Sequence, residues 1–366
     1  MAYTTIDDSS AHFQNQLYTG TGSNGNAITN GGNSDLQPDF VWVKSRGNAN
    51  HDHHVWDSSR GVGGKDLYPN EVFAEGSDAN RFTAFNTDGF SIGGAGHVNT
   101  DGDAYVSWQW KANGGTTTSV SSTTVDGNTT TACVRQVNTT AGFSIMTYTA
   151  DSNGEQFLEH GLGKSPQFIL VKNRGETDNW AVGHGRLTGT TPWYSYCFLN
   201  TNAAVASHSS YWLNTSPTDN IINLGGANSV GVNGENYVCY AWTEVPGFSK
   251  FGRYIGNGNA NGPYVPCGFK PAWLLHKRVD GTENWGITNI DSSARAAGTQ
   301  GNDMANQLEA DDSTAEANQV DFWFTSNGFK LDGSGNFSNA VDENYIFAAF
   351  ADNPFVTSKG VPCTAR

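Results

Sequence analysis

The chain is poor in charge. Lys, Arg, Asp and Glu make up 15% of its 366 residues, against roughly 25% in ordinary soluble domains. The deficit falls on the cations: 20 Lys and Arg face 35 Asp and Glu, a net charge of −15, with no basic cluster. Nucleic-acid binding needs cations to displace counterions from phosphates, so no nucleic-acid partner is expected. No apolar run approaches the length of a membrane-spanning helix, so no membrane insertion is expected. The opening Met-Ala-Tyr-Thr-Thr-Ile-Asp-Asp has neither the basic nor the apolar region of a secretory signal. The five cysteines, Cys133, Cys197, Cys239, Cys267 and Cys363, form no Cys-x-x-Cys pair. Free, mostly buried thiols are expected rather than a zinc site or a disulfide framework. There is no Gly-x-Ser-x-Gly, no phosphate-binding loop and no His-Glu-x-x-His. No catalytic residue and no cofactor is assigned.

What the chain has is glycine, aromatics and repetition. Gly contributes 44 residues, and aromatics 12%. This composition suits short strands joined by tight turns. Pro38-Asp-Phe-Val-Trp-Val-Lys44, Pro166-Gln-Phe-Ile-Leu-Val-Lys172 and Pro271-Ala-Trp-Leu-Leu-His-Lys277 repeat one pattern. A Trp follows each: Trp56, Trp180, Trp285. Each copy closes on an acid, a Tyr and an alternating run, at Asp103/Tyr105, Glu235/Tyr237 and Glu343/Tyr345. The spacing, about 100 residues, exceeds any solenoid unit. The expected fold is all-β, with three tandem antiparallel β-sandwich domains of seven or eight strands each. Their expected bounds are 1–112, 130–245 and 246–355. A Thr/Ser/Gly-rich linker over 113–129 and a C-terminal tail over 356–366 complete the division. Asp88-Gly89 and Asn327-Gly328 mark hairpins, and Asp219-Asn220 a weaker one.

Candidate sites are few. His51-Asp52-His53-His54 is the one histidine cluster, making His51 and His53 weak candidates for a metal. Its copies in the other repeats are Glu176–Asn179 and Gly281–Asn284, so a polar loop is the plainer reading. Lys44, Lys172 and Lys277, with Asp103, Glu235 and Glu343, suggest one structural ion pair per repeat. Asp101-Gly-Asp103 and Asp151–Glu155 offer oxygens without an EF-hand spacing. Tyr68, Trp193, Tyr194, Tyr211 and Trp212 lie among polar neighbours and could stack on a glycan or touch a partner.

The long motifs Ala84-Phe-Asn-Thr-Asp-Gly-Phe-Ser-Ile92, Tyr105-Val-Ser-Trp-Gln-Trp-Lys-Ala-Asn-Gly-Gly115, His160-Gly-Leu-Gly-Lys164 and Ala348-Ala-Phe-Ala-Asp-Asn-Pro-Phe355 carry a resemblance. The chain resembles a repeat family of uncharacterised virion structural proteins from tailed bacteriophages of marine bacteria and cyanobacteria. The resemblance implies a concanavalin-like or jelly-roll-like β-sandwich and a place in the virion, assembled in the host cytoplasm. The function expected is a non-enzymatic structural one, as a tail fibre or appendage contacting the host surface. A capsid decoration protein and a virion-borne glycan depolymerase are the alternatives. Expected partners are other virion proteins, further copies of the chain (a trimer being one such assembly) and a host-surface glycan. Recognition is expected in the loops after each lysine and around each Trp.

Overall fold

The computed structural model describes residues 3–151, 154–293 and 303–363. The protein is nearly all-β, as its turn-rich composition requires. The first repeat holds β1 (Phe13–Thr19), β2 (Asn26–Ile28), β3 (Phe40–Ser45), β4 (His54–Asp57), β5 (Phe82–Phe85), β6 (Phe90–Ile92) and β7 (Ala104–Trp110). Then come β8 (Thr118–Val120), β9 (Thr124–Val125) and β10 (Asn128–Thr129). The second repeat holds β11 (Cys133–Asn138), β12 (Phe143–Thr149), β13 (Gln156–Glu159), β14 (Phe168–Asn173), β15 (Ala181–His184), β16 (Ser195–Phe198), β17 (Ala206–Ser207), β18 (Ile221–Leu224) and β19 (Asn236–Trp242). The third holds β20 (Ser249–Ile255), β21 (Tyr264–Pro266), β22 (Phe269–Arg278), β23 (Gly286–Asn289), β24 (Asp303–Glu309), β25 (Ala317–Thr325), β26 (Gly328–Leu331) and β27 (Asn344–Pro354).

One four-strand order recurs. The first strand pairs with the last, the last with the proline strand, and that with its successor: β1-β7-β3-β4, β12-β19-β14-β15 and β20-β27-β22-β23. A stacked tyrosine pair locks the first two strands in every copy. Tyr18/Tyr105, Tyr148/Tyr237 and Tyr254/Tyr345 lie 5.0, 5.2 and 5.0 Å apart between ring centroids. Each last-strand Tyr hydroxyl accepts the backbone N–H five residues upstream, from Thr100, Val232 and Ala340. The hairpins at Asp88-Gly89 and Asn327-Gly328 form, with positive φ at both glycines. The second copy departs: a short helix, Ser209–Trp212, stands before the Asp219-Asn220 turn in place of the hairpin's first strand, while β18 pairs with β13 as β6 does with β2 and β26 with β21.

The alternating runs explain how the copies meet. Trp108 and Trp110, Tyr240 and Trp242, and Ala348 and Phe350 all turn one face into a single core drawn from all three repeats. Trp110 sits at its centre, with ring centroids of Phe13, Phe40, Trp242, Trp273 and Phe350 at 4.7, 5.4, 6.2, 5.4 and 5.3 Å. The opposite faces are covered too. In the first repeat β2-β6-β5 lies over Val41, Val43 and Tyr105. Even the polar Ser107 and Gln109 are fully buried there, Gln109 donating to Asn30 Oδ1 and Ser107 Oγ.

The repeats close into a ring by gripping one another in cyclic order. At one register, Glu75 N–H donates to Arg174 O, Val205 N–H to Val279 O, and Glu316 N–H to Arg46 O. The second repeat thus holds the first, the third holds the second, and the first holds the third. Arg174–Glu75 and Arg46–Glu316 ion pairs, at 2.8 and 2.7 Å, reinforce two of these seams.

Two of the recurrent lysines, Lys44 and Lys172, complete their seams, and here the expected pairing with Asp103, Glu235 and Glu343 is corrected. Among the described residues no recurrent lysine meets its acid. Lys44, Lys172 and Lys277 are fully buried, and each ammonium donates to main-chain carbonyls. Lys44 reaches Ser45 O and, across the seam, Ser313 O, both at 2.9 Å. Lys172 reaches Asp178 O at 2.9 Å and, across its seam, Val72 O at 3.2 Å. Lys277 reaches Arg278 O and Gly281 O. Three donors on one flexible stem suit carbonyls converging from several directions better than a planar carboxylate does.

Desolvation pushes Lys172 down to about 8, with Asp178 opposing. Between about pH 8 and its unfolded value of 10.5, the unfolded chain holds a proton the folded chain has shed, so this group's contribution to stability rises with pH. Lys172→Met removes that rise. Its destabilisation in urea melts is expected to be greater at pH 10 than at pH 7, by on the order of 2 kcal/mol. An equal loss at both pH values would sink this account.

Residues 113–129, expected as a linker, are built into the fold. Strand β8 pairs with β11, and β9 with β10. The Asp39 carboxylate accepts the N–H groups of Ala112, Gly114 and Gly115. The expected tail also folds back: Ser358 bonds Asp7, and Val356 bridges Pro362.

Candidate functional site

The histidine cluster is taken apart by the register. Val43 faces His54, Val171 faces Ala181 and His276 faces Gly286. His53, not Trp56, therefore stands where Trp180 and Trp285 stand. All three do one job. The Trp180 indole donates to Tyr68 O, the Trp285 indole to Phe198 O, and His53 Nε2 contacts Glu309 O at 2.9 Å, each across a seam. The Trp42 indole donates to His53 Nδ1 at 2.8 Å, so the proton of the neutral ring sits on Nε2. Both nitrogens are engaged, and burial holds the ring well below its ordinary pKa. His51 instead stacks on His97 at 4.9 Å, with its Nδ1 3.6 Å from Asp103. Among the described residues no three His, Cys, Asp or Glu side chains converge as metal ligands. Cys133, Cys197, Cys239 and Cys267 are buried free thiols. Ser152 and Asn153 of the second oxygen-rich turn lie outside the described residues.

The acids that recur before each Tyr have separate partners. Asp103 accepts from Asn48 at 3.3 Å, and Glu343 pairs with Arg278 at 2.7 Å. Glu235 lies beside Gly175, 3.3 Å from where a Cβ would stand.

The expected contact aromatics divide. Trp193 and Trp212 are buried, in a T-shaped pair at 5.9 Å. They pack over Gly183, where an added Cβ would lie 2.8 Å from one ring and 3.0 Å from the other. Gly183 holds the register position of Trp56, so the second repeat fills from outside the space that Trp56 fills from within. These two residues are removed as contact candidates. Tyr211 is half-buried against Tyr196 at 3.7 Å. Tyr68 accepts from Arg81 at 2.7 Å and is also half-buried. Only Tyr194 of the five is exposed, at 38%, and Phe73 beside Tyr68 is exposed at 48%. The loops after the lysines are drawn into the seams: Ser313 donates to Ala49 O, and Asp178 N–H to Val72 O.

Two of the open concavities lie where the first strand of one repeat borders its neighbour. Strand β20 forms a cleft of about 520 Å³ with the second repeat, lined by Gln167, Arg186, Lys250, Phe251, Gly252 and Arg253. Strand β1 forms one of about 470 Å³ with the third repeat, lined by Gln14, Asn15, Gln16, Ala272, Asp291 and Asp352. Asp57, His184 and Asn289 share one register position. Ser59, Arg186 and Asp291, two residues on, are therefore counterparts. The third such position, beside β12, is filled by the chain itself. Strand β11 pairs along β12 there, and Gln136 donates to Ser58 and Ser59 at 2.8 Å each. Sequence reasoning missed the clefts. The one available sign was a strand-like stretch ahead of the second repeat that the other copies lack.

No helix among the described residues is long and apolar enough to cross a membrane. No curated protein and no solved structure matches the chain. A family model described as a domain of unknown function, DUF7483, matches residues 8–354. That span takes in all three repeats as one unit, which agrees with their common core and closed seams. The chain belongs to the DUF7483 family, whose function is undefined.

Proposed function

We propose that the protein is a non-enzymatic structural component of a tailed-bacteriophage virion, a tail fibre or appendage element that contacts the host surface. In this reading each repeat is a concanavalin-like or jelly-roll-like β-sandwich, fused to its neighbours through the ring. One observation carries the proposal: the lysines and last-strand tyrosines kept in every copy serve the fold, as carbonyl donors and hydroxyl acceptors. What remains open are shallow clefts and single exposed rings such as Tyr194 and Phe73, features suited to contact rather than turnover. Other virion proteins, further copies of the chain and a host-surface glycan are the proposed partners.

Two measurements test this. Density for the ring in an electron-microscopy map of the particle should lie on the tail, and density on the capsid would make it a decoration protein. Purified protein incubated with host polysaccharide should bind without releasing reducing ends. Their release would replace the proposal with a depolymerase.

A further inference from the structure

We propose that the β20 cleft is a strand-addition site for an extended, carboxylate-bearing segment of a partner protein. Three observations carry this. First, β20 is the edge strand of its sheet, and an edge offers unpaired backbone groups to an incoming strand. Second, the chain displays the occupant at the matching edge, where β11 runs antiparallel to β12 from Cys133 opposite Tyr148 to Asn138 opposite Phe143. Third, the polar groups that meet such a strand change from neutral to cationic.

The register fixes those groups. Tyr148 and Tyr254 are counterparts, so Thr147 corresponds to Arg253 and Ile145 to Phe251. In the filled cleft Val134 faces Thr147 and Gln136 faces Ile145, with Gln136 reaching Ser59. In the open cleft Arg253 replaces Thr147, and Arg186 replaces Ser59. A strand seated on β20 would thus present alternate side chains, at the places of Val134 and Gln136, to two guanidiniums. Arg253 donates to Asn344 Oδ1, and Lys250 pairs with Glu244 at 2.7 Å. The exposed Arg186 side chain reaches into the cleft. Opposite charges facing each other across a strand pair favour that register. The edge borders residues of the second repeat across the cleft, as β1 borders the third. A single extended segment can enter.

The probe is a fluorescent peptide of residues 131–139, with Cys133→Ser, Val134→Glu and Gln136→Glu, titrated into the full chain by anisotropy. It should bind at least about ten-fold more tightly than the peptide carrying Cys133→Ser alone. Arg186→Glu should abolish that gain, and a Gln136→Lys peptide should restore binding to the Arg186→Glu protein. Absence of binding, indifference to Arg186→Glu, or equal binding of a scrambled peptide of the same composition would overturn the proposal. Sedimentation of the chain alone showing a dimer that Arg186→Glu dissolves would also overturn it, by giving the cleft to a second copy.

Discussion

Trp110→Ala is expected to destabilise the whole ring by about 3–5 kcal/mol, a large part of the roughly 5–15 kcal/mol that holds a typical protein folded. The effect should not stay in the first repeat. The Trp110 ring, 2% exposed, touches Trp242 of the second repeat and Trp273 and Phe350 of the third. Truncating it opens a cavity in the core that all three repeats share. Calorimetry of the wild type should show a single cooperative transition, and the variant the same single transition at lower temperature. A fragment of residues 1–112 should fail to fold, because Trp42, Trp108 and Trp110 would face water. Separate transitions for the three repeats, or an independently folded fragment, would show that the shared core does not bind them into one unit.

The second large effect is expected from Arg60→Met. The Arg60 side chain is fully buried where the first repeat meets the second. Its Nε lies 2.5 Å from Asp57 Oδ2, and its Nη1 2.9 Å from Glu75 Oε1. It also donates to the carbonyls of Lys65 and Val55 and contacts the Tyr240 hydroxyl, which itself donates to Asp57 at 2.6 Å. Methionine fills much of the volume but leaves a buried carboxylate without its cation, at a cost of about 3–5 kcal/mol. Adding Asp57→Asn removes that charge and should recover about 1–2 kcal/mol. Guanidinium melts of the two variants measure both numbers. A loss under about 1 kcal/mol for Arg60→Met would mean that water reaches Asp57.

Much of the local structure was legible because local signals govern it. Alternation placed β7, β19 and β27. Asp88-Gly89 and Asn327-Gly328 placed two hairpins, through the positive φ that glycine permits. Longer-range facts were not legible. A lysine after a strand suggests an acidic partner, but which atoms meet Lys172 depends on the carbonyl of Val72, 100 residues away. Aligning Trp56 with Trp180 matched residue type and missed register, which placed His53 at the seam. Trp193 and Trp212 read as loop aromatics among polar neighbours, and only the space left by Gly183 shows why they are covered. The Thr/Ser/Gly composition of 113–129 suits a linker and a short edge strand equally well, so composition alone could not separate them.

The cyclic grip has a bearing on copy number. In an open array of repeats the first and last units each expose a face, and lineages of such proteins lengthen or shorten by recombination, with special end units shielding the exposed faces. A ring in which each unit is held by the next has no end units to shield. Deleting the first copy, for example, would take away the Tyr68 and Val72 carbonyls that receive the Trp180 indole and the Lys172 ammonium. Duplication can have built this chain, but once the ring closed, losing any one copy would leave buried donors of its neighbour without acceptors.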